Sequence, residues 1–436
     1  MCKFSATPQP LFLEGELKSC CQRQPNLKTN TMSKVVITGL GLVTPVGIGV
    51  KQSWESFIQG RNGANEMKSF DTSKYKVHRS CEVKNFQWDF ELENQIKENT
   101  IHKYVYYAAR EALQESGLLN DNNFDKERFG IAIGTLAAEL TPFERLLRLD
   151  TSKKDNGFDK IVAAVYPPNS ITNILAQYFN FEGPTMISLN ACSSGNHAIG
   201  WACELLMENK VDVMMVGGGD MIPQTEFTHF HNLKALAPER CQPFDKNRQG
   251  LMIGEGAGIL IMERYEFAKK RGVPIIAEMA GYGLSCDGFH MTAPHPEGDG
   301  AVKCMSDALK MAGLSPADIG YINAHGTGTP HNDKTETTAI KRVFGEHAYK
   351  IPCSSTKSMI GHLMGAASAV ESVICCLALR HGIAPPTINY ETPDPECDLD
   401  YIPNKARELK VNHVLNNSFA FGGNNATTIF STPDFL

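Results

Sequence analysis

The chain has 436 residues, 42% hydrophobic and 21% charged, so it can bury a large core and is not a low-complexity polymer. With 42 Lys and Arg against 48 Asp and Glu the net charge is −6, which excludes a generally basic nucleic-acid binder and leaves an acidic partner dependent on a local cationic patch. No apolar run reaches the roughly 18 residues that would suggest a transmembrane helix, so no membrane association is expected.

Residues 1–32 are polar and mixed, lack the apolar centre of a secretory signal, and read as a disordered extension. Beyond them, apolar runs alternate with helical patterns. Residues 35–37, 129–133, 186–189 and 211–216 read as buried strands, with helices over 103–114 and 198–207. The theme repeats with strands over 259–262, 275–282, 321–324 and 351–354 and helices over 300–312 and 366–378. Such alternation implies α/β layers. A faint internal echo (strand, turn, small-residue helix at 187–207 and again at 351–379) suggests duplication. We place the two halves at 33–285 and 286–436.

Thirteen cysteines are many. Cys203, Cys304, Cys375 and Cys376 sit in apolar helical patterns, where a thiol acts as a small hydrophobe, and Cys20 and Cys21 are adjacent near the start. No CxxC pair is present to hold zinc, so no metal is expected. Reduced thiols imply a cytoplasmic setting.

Cys192 differs from the rest. It lies in Asn190-Ala191-Cys192-Ser193-Ser194-Gly195, where an apolar strand gives way to a helix. The positive end of a helix dipole there is expected to lower the thiol's pKa, and a sharp turn to expose it. Far downstream lie Asn323-Ala324-His325-Gly326-Thr327-Gly328-Thr329-Pro330 and Ser355-Thr356-Lys357-Ser358-Met359-Ile360-Gly361-His362. A cysteine with two distant histidines in Gly-containing turns suggests nucleophilic catalysis. His197, five residues after Cys192, would point about 140° away on a helix and is not nominated as a base. Gly254-Glu255-Gly256-Ala257-Gly258 precedes a strand and lacks Lys-Ser/Thr. It therefore reads as a close-packed turn and not a phosphate loop, and Gly39-Leu40-Gly41 completes no dinucleotide fingerprint.

Six islands in order carry a family resemblance. They are 35–41, Ala191-Cys192-Ser193-Ser194-Gly195, 254–258, the two His turns, and Asn417-Ser418-Phe419-Ala420-Phe421-Gly422-Gly423. Over about 33–430 the chain resembles the β-ketoacyl-acyl carrier protein synthases, most closely the bacterial synthase II type. The resemblance implies a thiolase-like fold of two βαβαβ halves in alternating layers. It also implies decarboxylative condensation of a Cys-bound acyl group with malonyl-acyl carrier protein, in fatty acid or polyketide elongation. Cys192 would be the nucleophile, and the amides of Cys192 and Phe421 the oxyanion donors, with Phe421 a gate. His325 and His362 would assist decarboxylation, and Lys357 would ion-pair with Glu336. Glu371 would shape the site or bind a monovalent ion. Thr327 and Thr329 would bind the phosphopantetheine arm, with Gly422 and Gly423 beside the substrate. No permanently bound cofactor is implied. Acyl carrier protein would be a partner, and the chain a homodimer or a heterodimer with a paralogue.

Departures from the usual pattern leave the pathway open. Ala137 stands where a bulkier residue lines the acyl pocket, which would leave more room for the chain. Ala420 and Asn424 replace Gly and Thr, and Ala-Cys-Ser-Ser is closer to the polyketide type. Gln242 replaces an Arg that helps dock the carrier, so Lys74, Lys76, Arg79, Lys97 and Lys103 are expected to compensate. Two other readings compete. A coenzyme A thiolase would need a second, late catalytic Cys, where this chain has Phe421-Gly422-Gly423-Asn424. A non-catalytic chain-length partner would usually lack the nucleophile that Cys192 supplies.

Overall fold

In this computed structural model the described residues are 33–87, 101–121, 123–138, 140, 144 and 167–435, and the expected extension 1–32 lies outside them. The first half comprises β1 (Val35–Thr44), α1 (Ile101–Glu115), β2 (Phe129–Gly134), β3 (Thr185–Ser188), α2 (Ser194–Met207), β4 (Val213–Asp220) and β5 (Gly256–Arg264). The second comprises β6 (Ala277–Cys286), α3 (Asp299–Ala312), β7 (Tyr321–Asn323), α4 (Pro330–Phe344), β8 (Cys353–Ser354), α5 (Ala367–His381), β9 (His413–Phe419) and β10 (Asn424–Ser431).

The strands form one path, β8-β7-β9-β10-β6-β1-β5-β4-β2-β3. Each half repeats one order: third, second, fourth, fifth, first. The sense of pairing repeats too. In the first half β2 runs parallel to β3 and β4, while β5 is antiparallel to β4 and β1. In the second, β7 runs parallel to β8 and β9, while β10 is antiparallel to β9 and β6. Two residue pairs, Val36–Glu278 and Ile37–Ala277, join the halves. The echo between the Cys and His islands is therefore a full topological repeat, restarting at Ala277.

The continuous apolar runs hide a period of two. Ala132, Met214, Val216, Leu260 and Met262 face one core, while their neighbours Ile131, Ile133, Val213, Met215, Ile259 and Ile261 face another. The first core lies between the two halves of the sheet and takes α2 and α5. The second is covered by α1, and a third, beyond the second half of the sheet, by α3 and α4. Five layers result, in the alternating α/β arrangement expected. The strands β9 and β10 and the helix α4 were not anticipated. α4 carries Pro-His-Asn-Asp-Lys-Thr-Glu at its start, too polar for an apolar period to stand out.

The two central helices meet at their N-terminal ends. A Cβ on Gly195 would lie 2.6 Å from the Ala369 nitrogen and 2.8 Å from Ser368 Oγ. Nearly every residue of α5 is buried, as befits a helix apolar on all sides. Gly195→Ala should therefore destabilise the fold by about 1–3 kcal/mol through overpacking. Denaturant unfolding checks this, and parent stability would mean that the helices can separate without loss.

Candidate active site

The contact between α2 and α5 places two turns side by side. The first follows β3. Ala191–Ser193 forms a short 3₁₀ turn into α2, with Ala191 in the left-handed region at φ 50°. Small hydroxyls hold it. Ser194 Oγ accepts from the Asn190 N–H (2.8 Å) and donates to the Ala191 carbonyl (2.7 Å). Ser193 Oγ donates to the Asn190 carbonyl (3.0 Å), and Ser418 Oγ to the Cys192 carbonyl (3.0 Å). Cys192 is 6% exposed. Burial pushes its thiol up to about 11, against the charge of Lys357 and the peptide N–H groups of Phe421 and Cys192, which are directed at the sulfur. The expectation of an exposed, acidified thiol is thus corrected, because desolvation of the thiolate outweighs the helix end.

The histidines come from corresponding turns of the second half. Consecutive peptide N–H groups over residues 325–328 donate to carboxylates on α4. His325 and Gly326 bind Glu336 at 2.8 and 2.7 Å, and Thr327 and Gly328 bind Asp333 at 3.1 and 3.2 Å. Asp333 and Glu336 share one face of α4 at a spacing of three. His362 is braced by the Gly254 island: its N–H donates to the Met252 carbonyl (2.6 Å) and its carbonyl accepts from Gly254 N–H (2.9 Å). That island is a close-packed brace.

The two imidazoles meet edge to face at 5.4 Å, and the nearest sulfur and nitrogen atoms of Cys192, His325 and His362 lie within 4.8 Å of one another. Burial holds both imidazoles well below the usual histidine range, with Lys357 adding to the effect. Both are neutral near pH 7. His362 Nδ1 accepts from the Met364 N–H (3.1 Å), so its Nε2 carries the hydrogen and donates. A metal on that nitrogen would have to displace this proton and break the Met364 bond. His325 Nδ1 is buried without a partner, so no such bond selects its tautomer.

Lys357 and Glu371 form a buried ion pair, each side chain 1% exposed. This corrects the expected pairing with Glu336, whose oxygens are taken by the two peptide N–H groups. Burial pushes both Glu336 and Glu371 up to about 7. Glu371 Oε2 and Asn323 Oδ1 are buried acceptors without a partner.

A cavity of about 450 Å³ opens over Cys192, His325 and His362 and runs out past Thr327 and Thr329. The two threonine hydroxyls are 2.8 Å apart. Phe421 borders the cavity with its ring 5.7 Å from that of Phe230. Other expected residues fall outside the lining. Gly422 and Gly423, at φ 80° and 74°, spend backbone groups on neighbouring loops: Gly422 N–H donates to the Met291 carbonyl, and the Gly423 carbonyl accepts from Asp287 N–H. Ala137 is buried, its N–H held by Asp220 at 3.0 Å. His197 bonds the Ser193 carbonyl through Nδ1.

Of the expected docking cations, Lys74 and Lys76 are exposed, Arg79 is half-buried and Lys97 lies outside the described residues. Lys103 is buried, which removes it from any docking face. Gln242 is also buried and donates to the Asn389 carbonyl (3.0 Å), so it packs the interior. Sequence reasoning missed Asp333, Asp220 and Ser418. Asp333 had a weak signal, an acid in the first turn of a helix opened by Pro330. Asp220 had none.

Comparison with known proteins bears on the chain as a whole. Residues 32–268 match the model for the β-ketoacyl synthase N-terminal domain, and residues 276–391 match that for its C-terminal domain. The chain is 39% identical over 416 residues to a 3-oxoacyl-acyl-carrier-protein synthase 2 of Coxiella burnetii, covering 91% of this chain and 98% of the relative. Among solved structures it resembles the ishigamide ketosynthase/chain length factor (TM-score 0.86, 37% identity, 92% and 99% coverage). It also resembles a type II polyketide synthase acyl-carrier protein in complex with its ketosynthase bound to the hexaketide (TM-score 0.83, 32% identity, 92% and 100% coverage).

The raised thiol makes a direct prediction. Only the thiolate alkylates, so iodoacetamide labelling of Cys192 should rise about 100-fold from pH 7 to pH 9. Mass spectrometry of the labelled peptide measures it. A rate already level below pH 8 would contradict a thiol held up by burial.

Proposed function

The chain belongs to the β-ketoacyl synthase family, and on that premise we propose how its cavity carries out decarboxylative condensation. Cys192 Sγ attacks the thioester carbonyl of an acyl group on acyl carrier protein. The S–C bond forms as the carrier's pantetheine thiol leaves with the proton given up by Cys192. Malonyl-acyl carrier protein then enters. Its carboxylate departs as CO2, and the released pair forms an enolate whose oxygen gains negative charge. The enolate carbon attacks the acyl-Cys192 carbonyl, Cys192 leaves and is reprotonated, and 3-oxoacyl-acyl carrier protein departs.

The observation that carries this reading is the convergence of one thiol, two neutral imidazoles and two peptide N–H groups on one cavity. A neutral imidazole donates to a developing enolate oxygen without first losing a charge. His362, with hydrogen on Nε2, is suited to that task, and His325 joins it. The amides of Cys192 and Phe421 serve the tetrahedral oxyanion on the acyl side. Thr327 and Thr329 hold the phosphopantetheine arm along the outer cavity. Lys357, paired with Glu371, acts electrostatically on all three reacting groups. Glu371, its Oε2 left unpartnered beside Lys357, shapes the site or takes a monovalent ion. Glu336 acts through the backbone of the His325 turn. Substrates arrive on the carrier, so the chemistry needs no resident cofactor.

The chain-length partner reading is disfavoured by the intact nucleophile and both histidines. A thiolase is disfavoured because the loop facing Cys192 offers Phe421 where a second cysteine would stand. The assembly we propose is a homodimer, or a heterodimer of the kind named for the ishigamide relative. We set the boundary between the halves near residue 275, where the strand order restarts, not at 285. Among the described residues no helix is long and apolar enough to cross a membrane. All ten described cysteines are free, and on these thiols we propose a cytoplasmic setting.

His325→Ala and His362→Ala should still acquire an acyl group from acyl-carrier thioester, while CO2 release from malonyl-carrier protein falls about 10²-fold. Phe421→Ala, tested alongside, should release CO2 before acylation if its ring gates the second substrate. Parent rates of CO2 release in both histidine variants would defeat the assignment, and strictly ordered turnover in the Phe421 variant would remove the gate.

A further inference from the structure

Asp220 ends β4 and is fully buried. No cation pairs with it among its hydrogen-bond partners. Instead it accepts four hydrogen bonds. Oδ1 takes Thr135 Oγ1 (2.7 Å) and Ala137 N–H (3.0 Å), and Oδ2 takes Leu136 N–H (2.8 Å) and Gly365 N–H (2.6 Å). Three of these donors belong to the loop after β2. The fourth belongs to the turn that carries His362, from the other half of the molecule.

The two segments touch directly. A Cβ on Gly365 would lie 2.4 Å from the Thr135 carbonyl carbon and 2.5 Å from the Leu136 nitrogen, so only glycine allows the backbones this close. The β2 loop also rests on the nucleophile's turn: a Cβ on Gly134 would lie 2.4 Å from the Gly195 nitrogen, and Ser194 Oγ is 3.2 Å from the Thr135 carbonyl. A chain of contacts therefore runs from the Cys192 elbow through Thr135 to Gly365 and His362, with the Asp220 carboxylate at its centre. Burying a carboxylate is costly, and four donors within 3.0 Å offset that cost only while both loops keep their places.

We propose that Asp220 is a positioning residue that locks the Thr135–Ala138 loop to the His362 turn, and so sets the aim of His362 relative to the Cys192 elbow. The consequence for catalysis rests on the condensing reaction proposed above, but the locking itself does not. All four partners donate, so both carboxylate oxygens must accept. In Asp220→Asn one oxygen becomes an NH2 group that faces donors, and at least one peptide N–H is left unpaired.

The test uses the full chain, with Asp220→Asn, Thr135→Val and Thr135→Ser variants. Amide hydrogen exchange is read first. Asp220→Asn should lose protection at Leu136, Ala137 and Gly365 together. Thr135→Val should do so more weakly, and Thr135→Ser should keep the parent pattern. Condensation is read second, as CO2 release from malonyl-carrier protein beside acylation of Cys192. Asp220→Asn should lower CO2 release about 10- to 100-fold through misplacement of His362, while acylation of Cys192 stays near the parent rate. Deprotection confined to the β2 loop would overturn the locking. An equal loss of acylation and CO2 release would reduce Asp220 to general stability and overturn its role in positioning. If Asp220→Asn fails to fold, Thr135→Val against Thr135→Ser decides the same two points. If the parent itself neither acylates nor condenses, the reaction assignment fails while the exchange result still judges the lock.

Discussion

Everything in this site depends on the close contact of α2 and α5 at Gly195 and Ala369. Each helix follows the third strand of its half. Because the halves repeat one topology, the turns before the two helices must arrive at one place. One turn carries Cys192 and the other His362. The second strands behave alike: the loop after β2 carries Thr135 and Ala137, and that after β7 carries His325 and Thr327. Duplication thus supplies two sets of equivalent turns facing each other, and each half has filled its own with different chemistry.

Burial then sets the protonation states. The thiol is raised and both imidazoles are lowered, so a thiolate–imidazolium pair is not the resting form near pH 7. The buried carboxylates Glu336, Asp333 and Asp220 accept peptide N–H groups from the loops that carry the reacting residues. A carboxylate with several N–H donors fixes a backbone more tightly than a side-chain contact can, since each bond removes freedom from the main chain itself. Lys357 and Glu371 add a charge pair in a medium where neither alone would be tolerated.

Much of this was legible in the chain, and the reasons are local. Cys192, His325 and His362 sit in short islands of glycine and small polar residues whose composition departs from the apolar background. The strands were readable because each is a short apolar run, though that continuity hid which residues face which core. Other features depend on residues far apart. Nothing near Asp220 announces that its partners lie 84 and 145 residues away. The Lys357 partner was misassigned because family likeness names a carboxylate without saying which donors already occupy it. Lys103 read as a surface cation since helical spacing alone does not tell which face is covered. The thiol's acidity was misjudged for a related reason. A helix end is visible in sequence, whereas the depth at which the helix is buried is a property of both halves together.

The central claim is that Cys192 carries the growing chain. Incubation with acyl-acyl carrier protein, proteolysis and mass mapping of every cysteine peptide tests it most directly. The account predicts one acyl group, on the Cys192 peptide alone, released by hydroxylamine. An acyl group on any other cysteine, or an unchanged adduct in Cys192→Ala, would contradict it.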